Sequence, residues 1–292
     1  MSLYTYDKNY FEKIDTPDKA YWLGFLYADG CINELHNKNK KPTLNLELTL
    51  CKSDENHLNK LKNCLMSDVP IKYRKTKFND KEYDSCRITI NCTKLCRDLI
   101  RLKCIPNKTY DIKFPTFDIV PYEYMRDFIR GYFDGDGCIY INEKRIQINF
   151  TGMFDMLKGI SDFLISEKIL RVLPKIYKDK RSNAQQMYIY GKDSIKEILD
   201  YLYKDCNIYL DRKYQKYIEY YKDYKESNKR GVYFSKKNNA YIVTISPNNK
   251  KKRIGQYKTL DEAIEARKDA EIEKMKILNA HIFSNEYVAT QN

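Results

Sequence analysis

The chain has 292 residues, 42% of them hydrophobic, and 53 Lys and Arg against 40 Asp and Glu give it a formal net charge of +13. That length predicts two or three domains, and the cationic excess points to a polyanionic partner, nucleic acid first, because Lys and Arg that neutralise phosphates release condensed counterions. No apolar run is long enough to span a bilayer and the opening MSLYTYDKNYF is no signal peptide, which excludes a membrane or secreted protein and predicts an intracellular one, in cytoplasm, nucleoid or organelle matrix.

The first predicted helix starts at Thr16-Pro17, an N-cap followed by Pro at the first helical position, and ends in Tyr27-Ala28-Asp29-Gly30. Strand signals follow. Leu44, Leu46, Leu48 and Leu50 alternate with Asn45, Glu47 and Thr49, so one face is buried and the other polar. Further strands are expected over 71–77 and 87–91, and helices around 54–66 and 93–102. The pattern then repeats. A second unit opens at Pro121, and its helix ends in Asp134-Gly135-Asp136-Gly137. Ile146, Ile148 and Phe150 alternate with Arg145, Gln147 and Asn149; strands are expected near 175–178 and 186–190, and helices near 155–167 and 193–204. Asp29 and Asp136 stand 107 residues apart. A repeat this long means two copies of a small domain. After the polar stretch Lys222–Lys229 a third unit begins. From Ser227 to Leu260 it holds nine basic residues and no acidic one. Three short strands near 231–235, 240–246 and 252–257 and a helix from about Leu260 to Ile277 fit there. The nine cysteines form no CxxC pair and the chain has only three histidines, so reduced core thiols are expected, not zinc. The 27 Tyr and 12 Phe suit both a core and a surface that stacks on bases.

The two helix ends carry the chemistry. Small residues stand at Gly24 and Ala28 in one helix and at Gly131 and Gly135 in the other. Residues four apart share a helical face, and small ones let two backbones approach. If the helices pair about a pseudo-twofold axis, Asp29 and Asp136 meet at the bottom of the pair. Two carboxylates that close repel unless a cation sits between them, and magnesium or another divalent cation such as Mn2+ suits hard oxygen ligands. A metal there activates water and stabilises the leaving oxygen of a phosphodiester. An aspartate is unfavourable at a helix C-terminus on dipole grounds, so finding it there in two matched contexts favours function. Asp134-Gly-Asp136-Gly is no EF-hand start, because Cys138, Ile139 and Arg145 fall where that loop needs oxygen ligands and glycine.

Trp22–Gly30, Ile129–Gly137 and the repeat over roughly residues 10–222 resemble the LAGLIDADG homing endonucleases in their single-chain form with two motifs. The resemblance implies an α+β fold with two pseudo-twofold-related αββαββα halves, here 1–112 and 113–224, whose saddle-shaped sheets lie along the DNA major groove. It implies metal-dependent cleavage across the minor groove that leaves short 3′ overhangs. It places the metal ligands at Asp29 and Asp136, with the carbonyls of Ala28 and Gly135 beside them, and a solvent-polarising basic residue near the end of each half at Lys108 and Lys213. Tyr27 stands where many members have an aspartate; Asp134 keeps it. The DNA-reading faces would carry Asn45, Glu47, Thr49, Arg74, Arg87, Arg145, Gln147, Asn149, Gln186 and Tyr188, since Arg pairs with guanine edges and Asn or Gln with adenine.

The third unit, 228–278, resembles the plant ethylene-response-factor type of DNA-binding domain in Arg230-Gly231-Val232, Tyr241–Ile245, Ile254–Tyr257 and Glu262–Arg267. That implies a three-stranded sheet backed by a helix, with Arg230, Lys252 and Arg253 toward DNA. Tyr241 replaces the usual Trp and Tyr233 a common base-reading Arg, so the expectation is tethering without a particular sequence preference. The tail 279–292 is uninformative. The whole reads as a monomeric, site-specific double-strand DNA endonuclease of the homing type, with no obligate protein partner. Its rivals are a DNA-binding regulator that lost catalysis and a maturase that binds intron RNA.

Overall fold

The computed structural model describes residues 3–36, 42–78, 81–105, 112–141, 146–178, 184–223, 231–245, 252–270 and 273. Lys108, Arg145, Arg230 and the tail lie outside the described residues. The first copy runs α1 (Pro17–Asp29), β1 (Gly30–Leu35), β2 (Thr43–Cys51), α2 (Glu55–Cys64), β3 (Lys72–Phe78), β4 (Lys81–Ile90) and α3 (Thr93–Arg101). The second repeats it as α4 (Met125–Asp136), β5 (Gly137–Ile141), β6 (Ile146–Gly152), α5 (Phe154–Ser166), β7 (Ile176–Lys178), β8 (Gln185–Ile189) and α6 (Lys192–Tyr203). An extra helix, α7 (Asp211–Asp223), follows. The third unit holds β9 (Val232–Ser235), β10 (Ala240–Ile245) and β11 (Lys252–Tyr257), then a helix, α8, over 260–270. The fold is mixed α+β with antiparallel sheets.

The α1 start is as expected: the Thr16 hydroxyl accepts from the Lys19 amide at 3.3 Å, with Pro17 just inside. Every residue from Ala20 to Tyr27 is buried, which marks a helix enclosed on all sides. After Pro121 a single 3-10 turn, Tyr122–Tyr124, precedes α4, which starts at Met125. Trp22 is fully buried, with the rings of Tyr21, Phe25 and His57 of its own half beside it.

The sheet order is β1-β2-β4-β3 in one half and β5-β6-β8-β7 in the other, the same topology twice. Register follows the alternation. Leu46, Leu48, Cys86, Ile88 and Ile90 point into the core, as do Ile148, Phe150, Met187 and Ile189 in the second sheet. One continuous core runs through both halves, and the third unit has its own small one around Ile242, Val243 and Ala263. All nine cysteines are free thiols. Among the described residues no helix is long and apolar enough to cross a membrane.

Candidate active site and nucleic-acid interface

α1 and α4 make the most extensive contact between any two elements among the described residues. Its geometry is reciprocal. A methyl on Gly24 would lie 2.0 Å from the Phe128 carbonyl oxygen, and one on Gly131 would lie 1.9 Å from the Tyr21 carbonyl oxygen. Phe128 and Tyr21 are themselves equivalent positions of the repeat. Such paired contacts are what a twofold axis produces. Nearer the bottom, a methyl on Gly135 would meet the Ala28 Cβ at 2.3 Å and the Asp29 Oδ2 at 3.3 Å. The backbones touch because no side chain stands between them.

This crossing brings Asp29 and Asp136 to the same end of the pair. Asp29 is exposed and Asp136 half-buried. The Tyr132 hydroxyl, held by the Thr151 carbonyl at 2.8 Å, has its proton retained first by burial and then by the negative charge of both Asp136 and Asp29. One group thus feels both carboxylates. Among the described residues no cluster of three or more His, Cys, Asp or Glu side chains is placed to hold a metal ion. The groups at the helix ends are two carboxylates and main-chain carbonyls, oxygens of the kind that suit a hard divalent cation.

Asp134 is separated from this pair by its surroundings. It is fully buried and accepts from Tyr21 Oη at 2.7 Å, Tyr203 Oη at 2.6 Å and the Leu210 amide at 2.8 Å. Burial pushes its carboxyl pKa up, and the Lys213 ammonium and these donors pull it back. Its counterpart Tyr27 does the corresponding task with opposite polarity, donating to the Leu102 carbonyl at 2.6 Å. Each copy so ties its motif helix to its own C-terminal segment.

Lys213 is 2% exposed, which excludes a solvated surface lysine. Its ammonium donates to the carbonyls of Phe133 at 2.5 Å, Asp134 at 2.8 Å and Gly137 at 2.5 Å. Three donors meet three acceptors, and the charge sits at the negative end of the α4 dipole. Burial lowers its pKa to about 8, against the raising effect of Asp134 and Asp29. The carbonyls of Ala28 and Gly135 are not among its acceptors. The segment carrying Lys213 is clamped to the first half: Lys60 Nζ reaches Asp211 at 2.5 Å and the Tyr209 carbonyl at 2.8 Å, and Arg212 Nε reaches Asp54 at 2.9 Å. Buried Arg130 adds bonds to the Ile208 carbonyl at 2.9 Å and Asp127 at 2.6 Å. Sequence reasoning missed Tyr21, Tyr203, Arg130 and α7. An Arg inside an apolar helix was the available signal for Arg130.

The proposed DNA-reading residues fall on the strand faces turned away from the core. Glu47 opposes Thr89, Thr49 opposes Arg87, and Arg74 opposes Ser85 on one sheet; Asn149 opposes Tyr188 on the other, where Gln147 and Gln186 share the outer face. Asn45 is the exception in exposure, 7%, because it accepts from Asn33 at 3.1 Å. Arg87 Nη1 binds both Glu47 oxygens at 2.9 Å. Lys252 and Arg253 are exposed on β11.

A probable translation initiation factor IF-2 of Methanocaldococcus jannaschii is 29% identical over 183 residues, 60% of this chain but 14% of that one, so the chain spans a small fraction of that relative's length. The solved meganuclease I-SmaMI, bound to uncleaveable DNA, superposes with a TM-score of 0.48 at 15% identity, over 69% of this chain and 89% of that one. The LAGLIDADG meganuclease I-AabMI, bound to uncleaved DNA, gives 0.45 at 12% identity, over 71% and 89%. Residues 123–203, which hold the second motif helix and the whole second sheet, match the family model of the LAGLIDADG-like domain.

Proposed function

We propose that the chain is a site-specific double-strand DNA endonuclease of the homing type, with Asp29 and Asp136 holding divalent metal, Mg2+ or Mn2+, between the two motif helices. The observation that supports this is the reciprocal glycine contact of α1 with α4, which packs together two helices that each end in an aspartate that is not fully buried. A retired active site has no need of such a repulsive pair. The metal, when bound, would supply an activated water and a counter-charge for the leaving oxygen. The chain's own residues do the rest. Asp29 and Asp136, with the carbonyls of Ala28 and Gly135, would orient the ion, and Lys213 holds the end of α4 that carries Asp136. Lys108 is its proposed counterpart. The polar sheet faces would lie on the duplex, and a near-twofold site matches the relation between the two strands, so both can be cut. The third unit, with Lys252, Arg253 and Arg230, would anchor the cutter to flanking DNA, and the whole would act as a monomer.

The test is to incubate the protein with a library of duplex sites, with magnesium and with EDTA. Metal-dependent cutting of both strands at a restricted set of sites is expected. Asp29→Asn and Asp136→Asn should each abolish cleavage while binding persists. Either variant cutting normally would refute the metal assignment. Binding without cutting by the native chain would favour a regulator, and preference for structured RNA a maturase.

A further inference from the structure

The third unit is attached to one half of the pseudo-symmetric body, first by the path of the chain. α7 starts at the motif helices, where Lys213 reaches the Gly137 carbonyl, and follows β5, where Lys216 donates to the Ile139 carbonyl at 2.8 Å. Its Tyr217 hydroxyl donates to Asp200 at 3.2 Å and its Tyr220 hydroxyl to the Lys192 carbonyl at 3.0 Å, so α7 runs back along α6 toward that helix's first residue. The last residue of α6, Tyr203, bonds Asp134 beneath the helix pair. Lys192 stands about 16 Å from Tyr203 at the rise of a helix, so α7 delivers the chain to the end of the second half away from the pseudo-twofold axis. From Asp223 to Gly231 the chain spans at most about 29 Å. Crossing back and clearing the first half by the same measure would take about 33 Å.

Charge then fixes where the unit rests. Asp269 of α8 pairs with Lys168, just past α5, at 3.1 Å. Lys268 lies 3.8 Å from Glu197 of α6, and Arg171 binds the same carboxylate oxygen. Burial raises the Glu197 pKa, and Arg171 and Lys268 pull it back. Lys168, Arg171 and Glu197 all belong to the second half. This dock uses α8, and the strands keep their positive charge open: Lys252 and Arg253 are exposed, as are Tyr233 and Phe234. The acidic residues of 228–278 all follow Leu260, so none on the strands neutralises those cations. We propose that the third unit binds the phosphates of the duplex immediately beyond the target arm that the second sheet covers, and leaves the flank beyond the first arm bare. The inference rests on the DNA-cutting reading above and names the flank that its anchor occupies. The two sheets lie on opposite sides of the pseudo-twofold axis, so the two arms leave that axis in opposite directions. A unit held at the outer end of the second half meets only the DNA that leaves along the second sheet, and its unbalanced Lys and Arg take phosphate whatever the sequence.

The experiment selects duplexes with fixed flanks from a randomised library on the full chain, with EDTA present so that none is cut. 5-Iododeoxyuridine is then placed at one position at a time in the arms and flanks, the complex is irradiated, and the crosslinked peptides are identified. Peptides of 137–190 mark the second arm and peptides of 30–91 the first. Peptides of 228–278 should crosslink from the flank beyond the second arm and not from the other. Third-unit crosslinks from the flank beyond the first arm, from both flanks equally or from neither would overturn the inference while leaving the endonuclease reading intact. Asp269→Lys should lower the flank crosslink up to about fivefold, the worth of one exposed ion pair, and adding Lys168→Glu should restore it. A full crosslink in Asp269→Lys, or a loss that Lys168→Glu does not restore, would overturn the dock as its cause. Enrichment of no duplex at all would overturn both readings.

Discussion

Gly131→Ala tests the helix pair directly. The added methyl would sit 1.9 Å from the Tyr21 carbonyl oxygen, and ordinary contact begins at 3.4 Å, so α1 and α4 must part by about 1.5 Å. Alanine favours the helix by up to about 1 kcal/mol over glycine, but overpacking of this kind costs about 1–3 kcal/mol and here acts on backbone that cannot swing away. The net loss, up to about 3 kcal/mol, should lower the melting temperature by up to roughly 12 °C for a body of this size. The same movement separates Asp29 from Asp136. A misplacement of about 1 Å at a reacting centre can cost about 100-fold in rate, so cleavage should fall by that order well below the melting temperature. Gly159→Ala is the control. Its methyl would meet the Phe114 Cβ at 2.2 Å, which should destabilise the fold at a place remote from the carboxylates and leave the cutting rate per folded molecule unchanged. Combining Gly24→Ala with Gly131→Ala should cost less than the two separately, because one separation relieves both clashes. Calorimetric melting and single-turnover cleavage of a selected site decide it. A Gly131→Ala protein that melts and cuts like the native one would refute the close-packed crossing and the site built on it.

Two further outcomes follow from the buried polar groups. Lys213→Met removes the donor to three carbonyls and the countercharge of Asp134, and should destabilise by about 3–5 kcal/mol, as breaking one side of a buried pair does; cleavage lost with melting unchanged would instead mean that Lys213 acts in the chemistry and not as a clamp. His57 is 1% exposed, and burial lowers its pKa from the ordinary 6.5 to about 3. Between those values the unfolded chain binds a proton that the folded chain refuses, so stability should be complete above about pH 6.5 and decline by about 1.4 kcal/mol per pH unit as pH falls toward 3. Denaturant melts across that range check it, and His57→Phe should flatten the slope; an unchanged slope would remove His57 as its source.

The LAGLIDADG-like match of residues 123–203 covers only the second copy. The first copy stands beside it on internal evidence: the same element order, the same sheet order and the reciprocal glycines. The third unit's strands and helix fall where the sequence predicts them. Its docking does not show in the sequence at all: Asp269 reaches Lys168 at 3.1 Å, and Lys268 reaches Glu197 at 3.8 Å.

What the sequence determined by itself is local. The alternation from Leu44 to Leu50 decides which face of β2 is buried, because backbone geometry turns successive side chains to opposite faces whatever lies beyond. Thr16 and Pro17 start α1 for equally local reasons, and two matched Asp-Gly helix ends mark the carboxylates. Tertiary structure alone decided what depended on distant partners. Asp134 and Asp136 are two residues apart and share a motif, yet one is caged by Tyr21, Tyr203 and Leu210 while the other stays within reach of solvent. Lys213, in a stretch that reads as polar surface, lies buried beneath α4, where Lys60 of α2 holds Asp211 and Asp54, just before α2, holds Arg212. Burial and hydrogen-bond partners are set by packing between segments 69 to 158 residues apart, and no periodicity in either segment encodes that meeting.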